Sequence, residues 1–448
     1  MNKEDLDLNL IRELIEQQDA EKLKELLSGM HPADIAELCD ELDVEEAQFI
    51  YQQMDNETAA DVLIEMDEDA QKDFLETLPS ETIAKKFVDY MDTDDAVDII
   101  REMDEEKQEE ILSHIEDIEQ AGDIVDLLKY DENTAGGLMG TEMVIVKENW
   151  SMPECLKEMR MQAGELDEIY YVYVVDDDER LLGVFPLTKM ITSPSVSKVK
   201  HVMEKDPISV HVDTSIEEVA QIIEKYDLVA VPVVDSIGRL MGQITVDDVM
   251  DEVREQSERD YQLASGLSQD VETDDSVMRQ TTARLPWLLI GMVGGIASSM
   301  VLGCFDDIFV QHPEMALFIP LIGGTAGNVG TQSSAIVVQG LANGSFATSN
   351  VFGQVLKESA VALINATLIS LLVYGYNFFR YGDIEPVTHL VPISLFGVIM
   401  FASIFGMLVP LTLEKMKIDP AIATGPFVTT ANDLIGMLIY MGITAWLG

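Results

Sequence analysis

Between about Asp34 and Glu116, apolar and polar positions alternate in short amphipathic stretches, each ending in an apolar residue followed by an acid or a proline. The endings fall at Leu42-Asp43, Met54-Asp55, Met66-Asp67, Leu78-Pro79, Met91-Asp92, Met103-Asp104 and Ile115-Glu116, 12 or 13 residues apart. That period predicts a stack of short helices joined by tight turns, an α-superhelix whose repeats bury one another's apolar sides. From Tyr171 the pattern changes. The β-branched stretch YVYVVDDDERLLGVF, Tyr171 to Phe185, returns as AVPVVDSIGRLMGQI, Ala230 to Ile244, with Val174, Asp176, Arg180 and Gly183 recurring as Val233, Asp235, Arg239 and Gly242, each 59 positions on. Upstream, Met139 and Val146 return as Met203 and Val210 at a slightly different offset. Each copy predicts helix, strand, turn, strand, helix. The charged segment DDVMDEVREQSERDYQL, Asp247 to Leu263, favours helix, and a polar linker from Ser268 to Ser276 follows it. Five apolar runs complete the chain, roughly 286–304, 316–342, 359–378, 389–413 and 421–447. Each is near or above the ~20 residues that a helix needs to cross the hydrocarbon layer.

Charge is as unevenly distributed as hydrophobicity. The 448 residues carry a formal charge of −54, yet only nine acids and four bases lie from Pro286 onward, which leaves −49 in the part before it. Such a surface repels phosphate backbones, so nucleic acid is not an expected partner. Cations are. The competing explanation is a solvated or salt-adapted face, and for any single acid it is the simpler one. Cys39, Cys155 and Cys304 are widely spaced, with no CxxC, and indicate neither a disulfide framework nor a zinc site. The stretch MNKEDLDLNL is too charged for a signal peptide, so the acidic half is expected to stay on the side of synthesis. Five crossings then put the C-terminus on the opposite side. Arg279, Arg284, Lys357, Lys415 and Lys417 fall in cytoplasmic segments on that count, and Arg380 outside, in line with the positive-inside bias.

The last run carries one acid, Asp433, near its middle. An acid there costs roughly 2.5–3.5 kcal/mol on insertion scales and usually marks an ion or substrate path rather than a lipid-facing position. In the second run, PLIGGTAGNVGTQSSA, Gly323, Gly324, Gly327 and Gly330 surround Asn328 and Gln332. Glycines at this density either let helices pack closely or expose main-chain carbonyls along a watery cavity, and Asn328 favours the second. A site with oxygen ligands, no thiolate and no imidazole points to a hard cation. Two such carboxylates meeting at a two-fold axis would repel, and a divalent cation would relieve them. Mg²⁺ suits it, being held readily by one or two carboxylates with most of its waters kept; the residues alone do not separate it from Ca²⁺ or Mn²⁺. No second mid-membrane acid is evident from the apolar runs.

The repeat from Tyr171 is similar to a tandem pair of CBS modules. In such pairs a Thr/Asp pattern at the strand end holds an adenosyl ribose; Thr245-x-x-Asp248 keeps it in the second copy, whereas Pro186 replaces the threonine in the first. A nucleotide such as ATP is therefore compatible with the second copy only, through Thr245 and Asp248, and a purely structural module is the alternative. With YDENTAGGLM at Tyr130 to Met139, PLIGGTAGNVGTQ at Pro320 to Gln332 and DPAIATGPFVTTANDLIG at Asp419 to Gly436, the chain resembles the MgtE family of bacterial magnesium channels over essentially its whole length. The resemblance implies a multi-domain integral membrane protein and a homodimer set in membrane lipid. Its parts would be a cytosolic α-superhelical N domain over 1–130, an α/β CBS pair over 131–250 (about 137–197 and 198–250), a connecting plug helix and linker over 251–283, and a five-helix pore domain over 284–448. Carried over by position, Asp433 would be the selectivity carboxylate holding hydrated Mg²⁺, with Gly324, Asn328 and Thr429 lining the same constriction. Thr429 lies one turn before Asp433 and so faces the same way. Asp419 would face the plug helix at the cytoplasmic mouth. Asp248, Asp251, Glu255, Glu258 and Asp260 on the plug, Asp227 in the second CBS module, and Asp94 and Asp98, spaced i, i+4 in the N domain, would bind sensor Mg²⁺.

The expected mechanism follows from charge. Abundant Mg²⁺ bridges facing carboxylates and holds the pore shut; when it falls, the acidic region repels itself and the domains separate. Several ions are needed, since moving an equilibrium from 1:99 to 99:1 takes about 5.5 kcal/mol of differential binding. Two rival readings are an ion-coupled divalent cation carrier and a metal sensor that does not conduct. An enzyme is not expected: no nucleophile with a base and orienting group stands out, and none of the six histidines lies beside an obvious partner.

Overall fold

The computed structural model describes residues 8–162, 166, 169–269, 271, 275–342, 351–423 and 425–447. Positions 270 and 272–274 of the expected linker, and Thr424 within the last motif, lie outside the described residues. The chain forms two compact units, one ending at Val253 and the other beginning at Arg254.

The first unit opens with short helices, among them Val44–Tyr51, Asn56–Ile64, Thr93–Arg101 and Glu105–His114. Their apolar faces meet around Tyr51, Phe74 and Phe87, whose rings stand 4.5 to 6.1 Å apart. At several of these endings the acid turns out to cap the following helix. Asp43, Asp55 and Asp104 accept from the backbone N–H three residues on, at 2.9, 3.0 and 2.9 Å, and Glu46 reaches back to the Asp43 N–H at 3.3 Å to complete a capping box. Each cap satisfies an N–H that the helix cannot, and contributes about 1 kcal/mol. Asp92 occupies the same position before Thr93–Arg101 but makes no side-chain cap bond.

Two small sheets follow. In the first, β1 (Val144–Lys147) pairs parallel with β2 (Tyr171–Val175), which pairs antiparallel with β3 (Leu181–Pro186) and that with β4 (Glu204–Lys205). In the second, β5 (Val210–His211) pairs parallel with β6 (Ala230–Val234), which pairs antiparallel with β7 (Leu240–Thr245). The register slips between Val174 and Val175 and again between Val233 and Val234, so the repeat extends to the bulge. The two turns dock on each other, the Leu181 N–H donating to Gly238 O at 3.0 Å and the Leu240 N–H to Glu179 O at 3.1 Å. Val210, Val231, Ile244 and Val249 share one core with the N-terminal helices, whereas the first copy keeps its own core around Val146, Val174 and Phe185.

Among the described residues of the second unit, four helices are long and apolar enough to cross a membrane: Val277–Gly303, Val351–Tyr381, Pro386–Lys415 and Pro426–Leu447. The expected fifth, Ile319–Ala342, forms a helix of 24 residues but is not among them; Thr325, Asn328, Thr331, Gln332, Ser333 and Ser334 dilute its apolar content. Pro386–Lys415 is the centre of the bundle, with Val391, Leu395, Val398 and Ile399 packed on Ile322, Ala366 and Tyr440. Leu288, Val293 and Met300 on the first helix and Leu368, Leu372 and Phe379 on the third point outward, as a hydrocarbon-facing surface requires.

Candidate metal sites

The N-terminus of the helix Thr93–Arg101 meets the segment that leads into β1. Thr93 N–H and Oγ1 donate to the two oxygens of Glu142, at 3.1 and 2.9 Å, and the Thr141 N–H donates to Thr93 Oγ1 at 3.0 Å. These bonds draw Glu142 toward Asp94. Carboxylate oxygens of Asp92, Asp94 and Glu142 lie within 4.8 Å of one another. Burial pushes the Asp94 carboxyl well above its ordinary range, and the acids Asp95, Asp248, Glu142 and Asp92 push it further. Asp95 is raised to about 7 by burial and then by Asp92, Asp248, Asp98 and Glu142. Asp248, at the start of the helix Val246–Ser265, is also raised by burial, although it accepts from the Thr245 N–H at 3.1 Å and from the Thr245 hydroxyl. Five oxygen-bearing acids that oppose one another's ionisation form the donor set a hard divalent cation takes.

Only part of that cluster was expected. Asp94 and Asp248 are in it. Asp98 is exposed and pairs with Arg101 at 3.3 Å, because one turn along the helix has passed the contact with Glu142. Asp92, Asp95 and Glu142 were missed; the absent cap bond at Asp92 follows no sequence signal, and Glu142 arrives from 47 positions beyond Asp95. Asp227 ends the helix Ile216–Tyr226 in a left-handed conformation, φ 51°, and is exposed. Glu255 pairs with Arg259 at 3.3 Å, Glu258 with Arg254 at 3.1 Å, and Asp260 accepts from Gln256 at 2.9 Å; Asp251 is exposed. Glu255, Glu258 and Asp260 therefore face neighbours on their own helix.

Asp433 lies in the second unit, seven residues after the start of Pro426–Leu447. Its Oδ1 is buried without a hydrogen-bond partner. A Cβ placed on Gly327 would lie 3.4 Å from that oxygen and 3.0 Å from Thr429 Cγ2, so Thr429 and Asp433 face one strip of the helix Ile319–Ala342, as expected. Thr331, one turn on, stands 3.2 Å from the Thr429 hydroxyl. Gly324 and Asn328 occupy the adjoining face of that helix and are exposed. Asp419 accepts from the Ala421 N–H at 2.7 Å and shapes the turn before the last helix. A Cβ at Gly425, on that turn, would come within 2.6 Å of the Ala264 carbonyl, so the end of Val246–Ser265 touches the start of the Asp433 helix at backbone distance.

The bundle holds a further acid outside the apolar runs: the helix Val351–Tyr381 begins eight residues before the run that marks it, which puts Glu358 seven residues inside the helix. There it accepts hydrogen bonds from Ser333 at 2.6 Å and Ser403 at 2.5 Å, on two other helices.

Comparison with known proteins agrees with this arrangement. Residues 319–443 match the model of a divalent cation transporter family, MgtE, residues 30–133 its intracellular N domain, and residues 135–194 and 199–255 the CBS domain. The chain is 34% identical over 333 residues to the magnesium transporter MgtE of Enterococcus faecalis, spanning 73% of this chain and 72% of that one. For that of Thermus thermophilus the identity is 33% over 324 residues, 71% and 70% of the two chains. Among solved structures, the cytosolic domain of the Mg²⁺ channel MgtE in complex with ATP matches with a TM-score of 0.52 and 33% identity, over 55% of this chain and 100% of that one. The soluble part of a magnesium transporter matches with a TM-score of 0.51 and 32% identity, over 56% and 98%.

Proposed function

Because the chain belongs to the MgtE family of divalent cation transporters, we propose that it is a Mg²⁺-selective channel for magnesium uptake across the cell membrane, closed by Mg²⁺ bound to its acidic N-terminal unit. The observation that carries the reading is Asp433, whose inner oxygen is buried, unpartnered and set against glycine and threonine. A carboxylate so placed needs a cation or a proton. One per chain, beside the exposed Gly324 and Asn328, suggests a pore completed by a second copy at a two-fold axis. Hydrated Mg²⁺ would be held there through its waters, with Thr429 beside it and Asp419 at the cytoplasmic mouth.

The domain assignment we propose is 1–130, 131–250, 251–283 and 284–448, with five membrane helices, a cytoplasmic N-terminal unit and an extracytoplasmic C-terminus. Asp92, Asp94, Asp95, Glu142 and Asp248 would hold the regulatory ion, since the cluster combines oxygen donors with raised proton affinity. Filling it removes like-charge repulsion at Asp248, on the helix whose other end meets Gly425. An adenine nucleotide at the CBS pair is a further proposed ligand, supported by the ATP complex of the similar cytosolic domain; Thr245 and Asp248 would meet it. The acids outside the cluster, Asp98 in the N domain, Asp227 in the CBS pair and Asp251, Glu255, Glu258 and Asp260 on the plug, would bind Mg²⁺ more weakly, exchanging a helix partner or solvent for the ion.

A second reading, a proton- or ion-coupled carrier, gains from Glu358, a second acid packed among the helices of the bundle. Flux separates the two. Mg²⁺ entry into proteoliposomes should fall at least about a hundredfold in Asp433→Ala at matched, folded protein, and the native flux should not follow an imposed pH gradient. Native flux in Asp433→Ala would remove the ion path from that residue; pH-driven flux would favour the carrier.

A further inference from the structure

Glu358 joins three helices at one point. Ser333 Oγ and Ser403 Oγ both donate to its Oε1, and the two hydroxyls stand 3.0 Å apart. Both serines are buried, 5% and 2% exposed. One turn away on the same two helices, a Cβ at Gly406 would lie 2.3 Å from Gly330 O, so Gly330 with Ser333 and Gly406 with Ser403 belong to one backbone-to-backbone crossing. Another side of Ile319–Ala342 faces the proposed ion path: Gly327 lies against Asp433 and Thr429 and Thr331 against Thr429, while Gly330, between the two sides, also meets Asn432. That helix is thus gripped between Glu358 and Asp433, six residues apart along its axis, or about 9 Å of rise.

We propose that Glu358 is a positioning residue of the ion path, fixing the helix Ile319–Ala342 through its hydrogen bonds to Ser333 and Ser403 and so setting where Gly327, Asn328 and Thr331 stand relative to Asp433. It deepens the pore reading above and rests on it. An ion held through its waters is selected by the spacing of several oxygens, so a sub-ångström shift of one wall changes which cation fits. The acceptor needed is one oxygen with two lone pairs, which a glutamine side chain also offers and a leucine does not. Without it, the two buried hydroxyls keep only each other, one donor is left unpaired, and the helix shifts to satisfy it.

The test is the ratio of Mg²⁺ to Ca²⁺ flux through the full chain in proteoliposomes, a ratio independent of how much protein has assembled. Glu358→Gln should keep the native ratio within about twofold, while Glu358→Leu and the double variant Ser333→Ala/Ser403→Ala should each lower it about tenfold. If Glu358→Leu does not assemble, the serine pair carries the test alone. A native ratio in the serine pair overturns the proposal, and so does a loss in Glu358→Gln as large as in Glu358→Leu, which would make the charge the active feature. Asp433→Ala, measured beside them, tests the pore reading separately: native flux in that variant sinks the pore whatever Glu358 shows.

Discussion

Asp433 and Asp94 are both acids withdrawn from water, yet their surroundings are opposite. Asp433 stands in an apolar bundle with glycine, threonine and a buried asparagine for neighbours, and its Oδ1 has no hydrogen-bond partner. Asp94 stands among four acids of its own chain, drawn together where the first helices meet the CBS pair. A lone carboxylate binds a hydrated ion loosely enough to let it go. A crowded set binds an ion by relieving several repulsions at once, and so can hold one against structural change. Under the function proposed above, the contrast suits the first to passage and the second to regulation.

The largest expected effect is the flux loss in Asp433→Ala, which should leave Mg²⁺-dependent melting of the N-terminal unit untouched. Next comes neutralisation of the cluster. Asp94 and Asp95 have proton affinities raised in the folded state, so the folded protein holds their protons more tightly than the unfolded chain. Stability is then fullest below about pH 4 and declines as pH rises toward about 7, the value to which Asp95 is raised, by about 2–4 kcal/mol. In chelator, the native melting temperature should fall between pH 5 and 8, and Asp94→Asn/Asp95→Asn should flatten that fall and melt higher at pH 8. Mg²⁺ at a hundred times its dissociation constant should restore about 2.7 kcal/mol to the native chain and much less to the variant. A variant no more stable than native in chelator would show the acids to be relieved by something other than an ion.

The smallest effect sharpens the same contrast within one repeat. Asp55→Ala and Asp104→Ala remove observed cap bonds and should each cost about 1 kcal/mol. Asp92→Ala removes none and takes a like charge from the cluster, so in chelator it should be neutral or stabilising. Equal losses at all three positions would return Asp92 to the capping set.

Much of this architecture was legible because it is periodic. The 12- or 13-residue spacing located the short helices, and the 59-residue repeat located the two matching strand pairs, whose shared bulge only the structure shows. What periodicity does not carry is contact between distant segments. Asp92, Asp95 and Glu142 become one site only through the packing of a helix start against the approach to β1, and i, i+4 spacing drew attention to Asp98 instead, which Arg101 holds outside. In the bundle, Asp433 was conspicuous as an acid inside an apolar run. Glu358 was not, because hydrophobicity stops at Lys357 and Glu358 while the helix continues back to Val351. Asn328 was legible as a polar residue among glycines, and it is exposed on the helix Ile319–Ala342.

The most direct measurement of the division between passage and regulation is Mg²⁺ flux through the reconstituted full chain as Mg²⁺ is raised on the face bearing the N-terminal unit, compared between the native chain and Asp94→Asn/Asp95→Asn. Native flux should shut down as that Mg²⁺ rises, and the variant should go on conducting. Closure of the variant at the same Mg²⁺ as native would contradict the account, leaving the crowded acids without a regulatory role.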